Sequence, residues 1–239
     1  MSDTRAPLYL IAGGRQSIQR KGPDPLVQEA LARTGVSRPS VAYVGAASGD
    51  NPAFRLLISR ILEKAGAGRV TLAPLCGARG SLRKAGAVLE NADVIFISGG
   101  DVEEGMQVLR ATGAAPLLRR LWRERKPFFG VSAGSIMLAR RWVRWTDPHN
   151  DGSAELFPCL GFAPVFCDTH GEGDGWGELR ALLNLCPPGA TGYGIVSGAA
   201  LKIEEDGSVC ALAGEVHVFR RRKSSVAQIE SLLPRPAEH

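Results

Sequence analysis

Apolar and polar positions alternate in two patterns along the first half of the chain. Short apolar runs with the composition of buried strands are separated by segments whose apolar residues recur at helical spacing. The apolar runs predict strands at 8–12, 41–44, 70–75, 93–97 and 127–131. The segments between them predict helices at 25–34, 52–65, 82–89 and 102–125. Strands separated by helices predict a parallel sheet covered on both faces, with ligands at the carboxyl ends of the strands.

The last third of the chain predicts short strands with little helix. Strands are expected at 165–169, 192–197, 201–204, 209–212 and 216–220, and one helix at 178–185. These strands predict an antiparallel extension of the same sheet. No linker, repeat or low-complexity tract divides the 239 residues. We therefore expect a single domain over 1–239, with a core at about 8–220 and a flexible C-terminal tail.

Composition narrows the class of protein. Hydrophobic residues make up 44% of the chain and charged residues 22%, which are ordinary values for a globular domain. No apolar run approaches the roughly 18 residues of a membrane span, and residues 1–7 lack the apolar core of a signal peptide. We expect a cytoplasmic protein without membrane association.

Charge and cysteine usage exclude further classes. The net charge is +5, but the basic groups at 119–126 and 220–223 are not interleaved with aromatic residues as a nucleic-acid stacking platform would be. The five cysteines are scattered without a C-x-x-C pair, which predicts reduced thiols rather than disulfides or a zinc site. We expect no nucleic-acid partner and no metal.

The sequence around Ser132 has the pattern of a nucleophile elbow. An apolar strand runs into Gly130-Val-Ser-Ala-Gly134 and then into a helical segment. Glycines are needed on both sides of such a serine, because a Cβ there would collide with the neighbouring strand or the incoming helix. The turn would expose the Ser132 hydroxyl and place the amide of Ala133 at a helix N-terminus, where it can stabilise an oxyanion. A turn that merely connects strand and helix is the alternative.

A serine nucleophile needs a base and a second oxyanion donor. Of the four histidines, His170 ends an apolar strand and precedes a glycine-rich loop, so it is expected at the same sheet edge as Ser132. His149 has the sequence context of a turn, His217 that of an edge strand, and His239 is terminal. Ser98-Gly-Gly-Asp101 ends the neighbouring strand and offers a backbone amide without an obstructing side chain.

These motifs together resemble the serine peptidase family of dipeptidase E and cyanophycinase, which shares a fold with class I glutamine amidotransferases. The resemblance covers Leu8 to Phe219 and is most specific in three segments, Phe96–Asp101, Gly130–Ser135 and Cys167–His170. It implies a three-layer α/β sandwich in which Ser132 is the nucleophile, His170 the base, and the amides of Gly100 and Ala133 the oxyanion hole. A glutamine amidotransferase would carry cysteine at the nucleophile, which disfavours ammonia transfer.

The acid that would complete a Ser-His-acid triad with Ser132 and His170 departs from the family pattern. Cyanophycinase-like members take the acid from the segment that matches 194–198, where this chain has no carboxylate. Dipeptidase E-like members carry an aspartate about fifteen positions after the nucleophile, and Asp147 stands there. Asp168 matches an aspartate that serves the substrate site in cyanophycinases. The resemblance therefore implies that Asp147 orients His170, with Asp168 as its competitor.

The resemblance also indicates a substrate class. The arginines that follow the histidine in cyanophycinases are absent, which disfavours cyanophycin as the substrate. Asp101, Asp168, Glu172 and Asp174 are candidate substrate-binding residues, since carboxylates in a glycine-rich loop would attract the free α-amine of a peptide. A solvated acidic loop is the alternative. We expect a preference for short peptides with an unblocked N-terminus, of the type Asp-Xaa by resemblance to dipeptidase E.

The sequence thus predicts a hydrolase of the peptidase S51 type, a serine exopeptidase or dipeptidase that needs no cofactor. Two other hypotheses remain open, a catalytically silent binding or scaffold protein on the same fold and an esterase or amidase acting on a non-peptide acyl group. Short peptides are the expected partners. The oligomeric state is open, with a homodimer as one alternative.

Overall fold

The computed structural model describes residues 6–14, 19–147 and 149–234. Strands and helices are numbered separately in chain order. The strands are β1 (Leu8–Ile11), β2 (Val41–Val44), β3 (Val70–Leu72), β4 (Val94–Ile97), β5 (Phe128–Val131), β6 (Arg141–Trp145), β7 (Ala154–Pro158), β8 (Phe166–Thr169), β9 (Thr191–Ile195), β10 (Ala200–Ile203), β11 (Val209–Leu212), β12 (Val216–Arg221) and β13 (Val226–Gln228). The helices are α1 (Pro25–Ala32), α2 (Pro52–Lys64), α3 (Leu82–Asn91), α4 (Val102–Ala111), α5 (Ala114–Arg123), α6 (Ala133–Leu138) and α7 (Gly177–Asn184).

A mainly parallel sheet lies at the centre of the fold. Within the described residues its strand order is β11-β10-β1-β5-β4-β2-β3. Strands β1 to β5 run parallel to one another. Strand β10 pairs antiparallel with β1, and β11 pairs antiparallel with β10. Strands β1, β2 and β4 are buried along their whole length, as expected where helices cover both faces. The predicted α/β fold with an antiparallel extension is confirmed.

Helices pack on both faces of this sheet. Along β1, Leu8 and Leu10 belong to the apolar cluster under α3 to α6, whereas Tyr9 and Ile11 belong to the cluster under α1 and α2. Alternation along the strand therefore divides the core into two layers. Asp24 and Asn51 cap α1 and α2 by accepting two backbone N–H groups each. Among the described helices, none is both long enough and apolar enough to cross a membrane.

The other C-terminal strands are arranged differently from the prediction. Strands β8, β9, β12 and β13 form a second sheet rather than extending the first, and β8 runs parallel to β9. Strands β6 and β7 form an antiparallel hairpin that the apolar pattern did not predict. The strand pattern gives the local conformation only, because the choice of sheet depends on contacts between residues distant in the chain.

Residues within 221–234 pair with other strands, in a segment where the sequence predicted a flexible tail. Val216 and Leu232 exchange backbone hydrogen bonds of 3.0 and 2.9 Å, and β13 pairs with β12. The chain therefore remains part of the fold beyond residue 220. Residues 235–239, with His239, and the first five residues lie outside the described part of the chain.

A tight turn joins β5 to α6. A Cβ added to Gly130 would lie 2.6 Å from the carbonyl carbon of Gly134, and one added to Gly134 would lie 2.1 Å from the carbonyl oxygen of Ile97. Both distances are shorter than a real Cβ contact allows. The two glycines are thus required by backbone packing against β4 and α6, which is the reason for which the sequence pattern predicts them.

Asp168 of β8 is buried beneath α7. Its side chain is 6% exposed, and its Oδ1 accepts a hydrogen bond of 2.7 Å from the amide of Thr169. Burial, together with the nearby carboxylate of Glu178, raises the pKa of Asp168 to about 7. An ionised Asp168 is therefore unfavourable in the folded protein.

We expect Gly134→Ala to destabilise the protein by about 2 kcal/mol or more, because the added methyl group meets backbone that cannot move aside. Chemical denaturation measures the loss. Gly22→Ala is the matched control, since a Cβ there has no neighbour within 4 Å. An unchanged midpoint for Gly134→Ala would contradict the close packing of the turn.

We expect Asp168→Asn to stabilise the protein in a pH-dependent way. The folded state holds a proton on Asp168 that the unfolded chain releases near pH 4, so ionisation destabilises the wild type as pH rises from about 4 to about 7. The variant should melt about 3 °C or more above the wild type at pH 8 and close to it at pH 4. Asp151→Asn, at an exposed position, should give no such difference, and a gain that is equal at both pH values would contradict the explanation.

Candidate active site

Ser132 lies at the turn between β5 and α6 in a backbone conformation that residues with a Cβ rarely adopt. Its φ is 55° and its ψ is −125°. Its amide donates a hydrogen bond of 2.9 Å to the carbonyl of Ile11, and its carbonyl accepts from the amides of Ser135 and Ile136. Backbone strain of this kind persists only where the surroundings impose it, and it concentrates at functional sites. The turn presents the serine side chain at the carboxyl end of β5.

The end of β4 and the first residue of α6 lie next to the side chain of Ser132 and carry backbone amides. Ala133 is the first residue of α6, so its N–H has no acceptor within the helix. A Cβ on Gly99 would lie 3.2 Å from the Cβ of Ser132, which places the end of β4 directly against the serine side chain. Gly100 has a φ of 142°, and a Cβ on it would lie 1.9 Å from the carbonyl oxygen of Ala47. Only glycine fits at Gly100.

His170 follows β8 and lines the same cavity as Ser132. Its φ is 65°, and its Nδ1 lies 3.2 Å from Oγ of Ser197. Burial lowers the pKa of His170, and this outweighs the opposite effects of the Glu172 carboxylate and of a hydrogen bond to the Ala12 carbonyl. The imidazole is therefore neutral at pH 7, as a general base must be.

Ser197 connects His170 to a carboxylate. The amide of Ser197 donates a hydrogen bond of 2.9 Å to Oε1 of Glu172. Burial tends to raise the pKa of Glu172, but hydrogen bonds from the hydroxyl and the amide of Ser197 lower it below its usual value. If Nδ1 of His170 carries the proton and donates to Ser197 Oγ, the serine hydroxyl is free to donate to Glu172. In that tautomer Nε2 is the proton acceptor.

Asp147 does not occupy the position that the resemblance implied for it. It lies exposed in the turn between β6 and β7, where its Oδ1 accepts a hydrogen bond of 3.0 Å from the amide of His149. Its amide and carbonyl bond to the hydroxyl of Ser153. The side chain beside Nδ1 of His170 is that of Ser197. The turn that holds Asp147 joins the two strands of an unpredicted hairpin, so spacing from Ser132 was a poor guide to its position.

The other acidic candidates also have local structural partners. Asp101 caps α4 by accepting a hydrogen bond of 2.8 Å from the amide of Glu104. Asp174 accepts from the amides of Trp176 and Gly177 at the start of α7. Asp168 is buried beneath α7. None of these three aspartates lies among the described residues that line the cavity at Ser132.

Sequence reasoning missed Ser197. The missing carboxylate in 194–198 drew attention to the right segment, but a serine there gave no reason to assign it a role. The group that supplies the charge, Glu172, lies 25 positions earlier in the chain. Only the pairing of β8 with β9 brings His170 and Ser197 together. A carboxylate that acts through a hydroxyl leaves no simple sequence signal.

The site contains no arrangement typical of a metal centre. Among the described residues, no group of three or more His, Cys, Asp or Glu side chains is placed to hold a metal ion. The imidazole of His170 lines the cavity with Ser132, and it contacts the hydroxyl of Ser197, whose amide donates a hydrogen bond to the carboxylate of Glu172. This set of groups suits acid–base and nucleophilic chemistry.

Comparison with curated proteins finds short regions of similarity to pyridoxal 5'-phosphate synthase subunits. The PdxT subunit of Geobacillus stearothermophilus is 32% identical over 74 residues, which is 31% of this chain and 38% of that protein. The PdxT subunit of Anoxybacillus flavithermus (strain DSM 21510 / WK1) is 34% identical over 74 residues, with the same coverage of 31% and 38%. The chain thus spans well under half the length of these relatives.

Solved structures match over nearly the whole chain. A peptidase from an acI-B1 Actinobacterium superimposes with a TM-score of 0.66 and 14% identity, covering 98% of each chain. A peptidase E candidate from Listeria monocytogenes EGD-e gives a TM-score of 0.61 and 18% identity, covering 86% of this chain and 96% of its own. At these identities the similarity establishes the fold. The sequence model of peptidase family S51 matches residues 8–210, which include Ser132, His170 and Ser197, and the chain therefore belongs to peptidase family S51.

Proposed function

We propose that this protein is a serine-type peptidase that cleaves short peptides through an acyl-enzyme. One observation carries the proposal: Ser132, in its strained turn, lines a cavity together with His170, whose Nδ1 is held by Ser197. A silent scaffold would have no need for a serine in an unfavourable backbone conformation beside a neutral imidazole. Membership of a peptidase family supports a peptide bond as the target.

The proposed reaction follows from the roles of these groups. Oγ of Ser132 attacks the scissile carbonyl carbon while Nε2 of His170 takes the hydroxyl proton. The amides of Gly100 and Ala133 donate hydrogen bonds to the oxyanion that forms. His170 then gives the proton to the leaving amine as the C–N bond breaks. Water, deprotonated by His170, attacks the acyl-enzyme and releases Ser132.

We assign the orientation of His170 to Ser197 and Glu172. The hydroxyl of Ser197 fixes the ring through Nδ1, and Glu172 fixes Ser197 by accepting the hydrogen bond of its amide. Glu172 is exposed, so its electrostatic effect on the imidazolium is reduced by solvent. Its main contribution is therefore positional. Asp147, the acid that the family resemblance implies, is the alternative that the experiments below test.

Dipeptidase specificity is the finer part of the proposal. The cavity at Ser132 has a volume of about 270 Å³, below the roughly 300 Å³ at which small-molecule pockets begin. A pocket of this size favours short substrates over long extended peptides. The carboxylates expected to bind a free α-amine, Glu172 and Asp174, have partners in Ser197 and α7. Recognition of an unblocked N-terminus would need other groups.

We expect Ser132→Ala and His170→Ala each to lower kcat/KM by at least about a thousandfold, because nucleophile and base act as one unit. The double variant should be little worse than either single variant. Peptide hydrolysis by the purified variants measures these losses, and their melting temperatures show whether they are folded. Losses that multiply in the double variant would contradict the pairing of Ser132 with His170.

We expect the pH dependence of kcat/KM to follow the pKa of His170 and to shift when its neighbours are changed. In the wild type, kcat/KM should rise with pH through a midpoint below the ordinary histidine pKa of about 6.5, since only the neutral imidazole is a base. Glu172 raises the pKa of His170, so Glu172→Gln should move this midpoint to still lower pH and reduce kcat. Ser197→Ala should reduce kcat by about tenfold to a hundredfold through misplacement of the ring.

Asp147→Asn is the matched variant for this series. It removes a carboxylate that has partners only within its own turn among the described contacts, and it should leave both kcat and the midpoint unchanged. A large loss in kcat for Asp147→Asn, with Glu172→Gln and Ser197→Ala close to the wild type, would return the role of acid to Asp147.

A further inference from the structure

The cavity at Ser132 extends away from the catalytic groups into an apolar space. It lies between the carboxyl end of the central sheet and the helices α1 and α2. Its apolar walls include Val27, Phe54, Ile58, Ile61, Leu62 and Phe96. Ser132, His170 and Gly100 line the same cavity, so any group that enters it lies next to the proposed reacting centre.

The charge of the walls restricts what can enter. Among the described residues that line the cavity, Asp24 is the one acidic side chain, His170 is the one imidazole, and none is lysine or arginine. Asp24 is 5% exposed, and its Oδ1 accepts from the amides of Leu26 and Val27 at the start of α1. A carboxylate side chain placed here would lose its hydration without gaining a lysine or arginine partner among the described lining residues, and it would lie near the carboxylate of Asp24.

We propose that this cavity binds the side chain of the residue whose carbonyl Ser132 attacks, and that this side chain is apolar. This inference rests on the proposed function, since it takes Ser132 as the nucleophile. The side chain on the acyl residue starts one atom from the carbonyl carbon, so it is the part of the substrate that reaches a cavity shared by Ser132 and Gly100. The volume of about 270 Å³ is far above the roughly 10–15 Å³ that holds one water. It is sufficient for an aliphatic or aromatic side chain.

This assignment differs from the Asp-Xaa preference that the sequence suggested. The Asp-Xaa preference came from resemblance to dipeptidase E, whereas the acidic loop was expected to bind the free α-amine. Glu172 and Asp174 of that loop face other partners, and the walls beside Ser132 are apolar. The cavity therefore favours Leu-Xaa or Phe-Xaa over both Ala-Xaa and Asp-Xaa.

Aminoacyl p-nitroanilides with a free amine test the side-chain preference directly. The acyl residue is leucine, phenylalanine, alanine, aspartate or lysine, and the leaving group is constant. We expect kcat/KM for the leucyl or phenylalanyl substrate to exceed that of the alanyl substrate at least about tenfold, with the aspartyl substrate lower still. A preference for aspartate would overturn the inference. A preference for lysine would also overturn it and would assign the cavity to a cationic side chain paired with Asp24.

A covalent probe separates this inference from the proposed function. In the reaction of a fluorophosphonate, Oγ of Ser132 forms a bond to phosphorus, the P–F bond breaks, fluoride leaves, and His170 takes the hydroxyl proton. Labelling rates are compared for probes with a methyl and a hexyl substituent on phosphorus. We expect both to label the wild type, and the hexyl probe to react at least about tenfold faster. No labelling by either would count against Ser132 as the nucleophile, whereas equal rates would count against the apolar cavity alone.

A substitution that partly fills the cavity provides the structural control. Ile58→Phe adds volume at a wall of the cavity and should remove most of the preference for the hexyl probe and the leucyl substrate, while the methyl probe still reacts. Leu57→Phe is the matched variant. Leu57 immediately precedes Ile58 in α2, it is 40% exposed, and it is not among the described residues that line the cavity. It should keep the wild-type ratios. Equal ratios in both variants and the wild type would overturn the assignment of the cavity.

Discussion

The close contact between α6 and the end of β4 is the constraint on which the rest of the site depends. The Cα of Gly134 lies so near the carbonyl of Ile97 that no side chain fits between them. The chain must therefore turn sharply after β5, and Ser132 takes up a positive φ. All residues of α6 are buried, so the turn cannot relax outward. The strain at Ser132 is thus maintained by the packing of α6 together with the backbone hydrogen bonds that Ser132 forms with Ile11, Ser135 and Ile136.

Two different environments meet at that turn. On one side, His170, Ser197 and Glu172 form a polar series that ends at solvent, where the negative charge remains hydrated. On the other side, the space under α1 and α2 is apolar. The proposed nucleophile therefore lies between a series of polar groups and an apolar space. Glu172 is exposed, so solvent reduces its electrostatic effect on the imidazole of His170.

Local patterns predicted most of the fold and part of the site. Apolar spacing predicted the strands β1, β2, β4 and β5. The helices α1 and α2 could be predicted from their apolar spacing and from the N-cap residues Asp24 and Asn51, each followed by a proline. The elbow could be predicted from the glycines on both sides of Ser132, because a Cβ on Gly130 or Gly134 would collide with nearby backbone. The second sheet, the β6–β7 hairpin and the contact between His170 and Ser197 could not be predicted in this way. Each depends on pairing between distant segments, and the hydroxyl of Ser197 is one of many in the sequence.

The most direct test of the account is to identify the residue that carries the acyl group during turnover. Acid quenching in the presence of a slowly deacylating substrate, followed by peptide mapping with mass spectrometry, locates the covalent intermediate. We expect the acyl mass on Ser132 of the wild type and its absence from Ser132→Ala. An acyl group on a cysteine or another hydroxyl would contradict it, as would sustained peptide hydrolysis by Ser132→Ala.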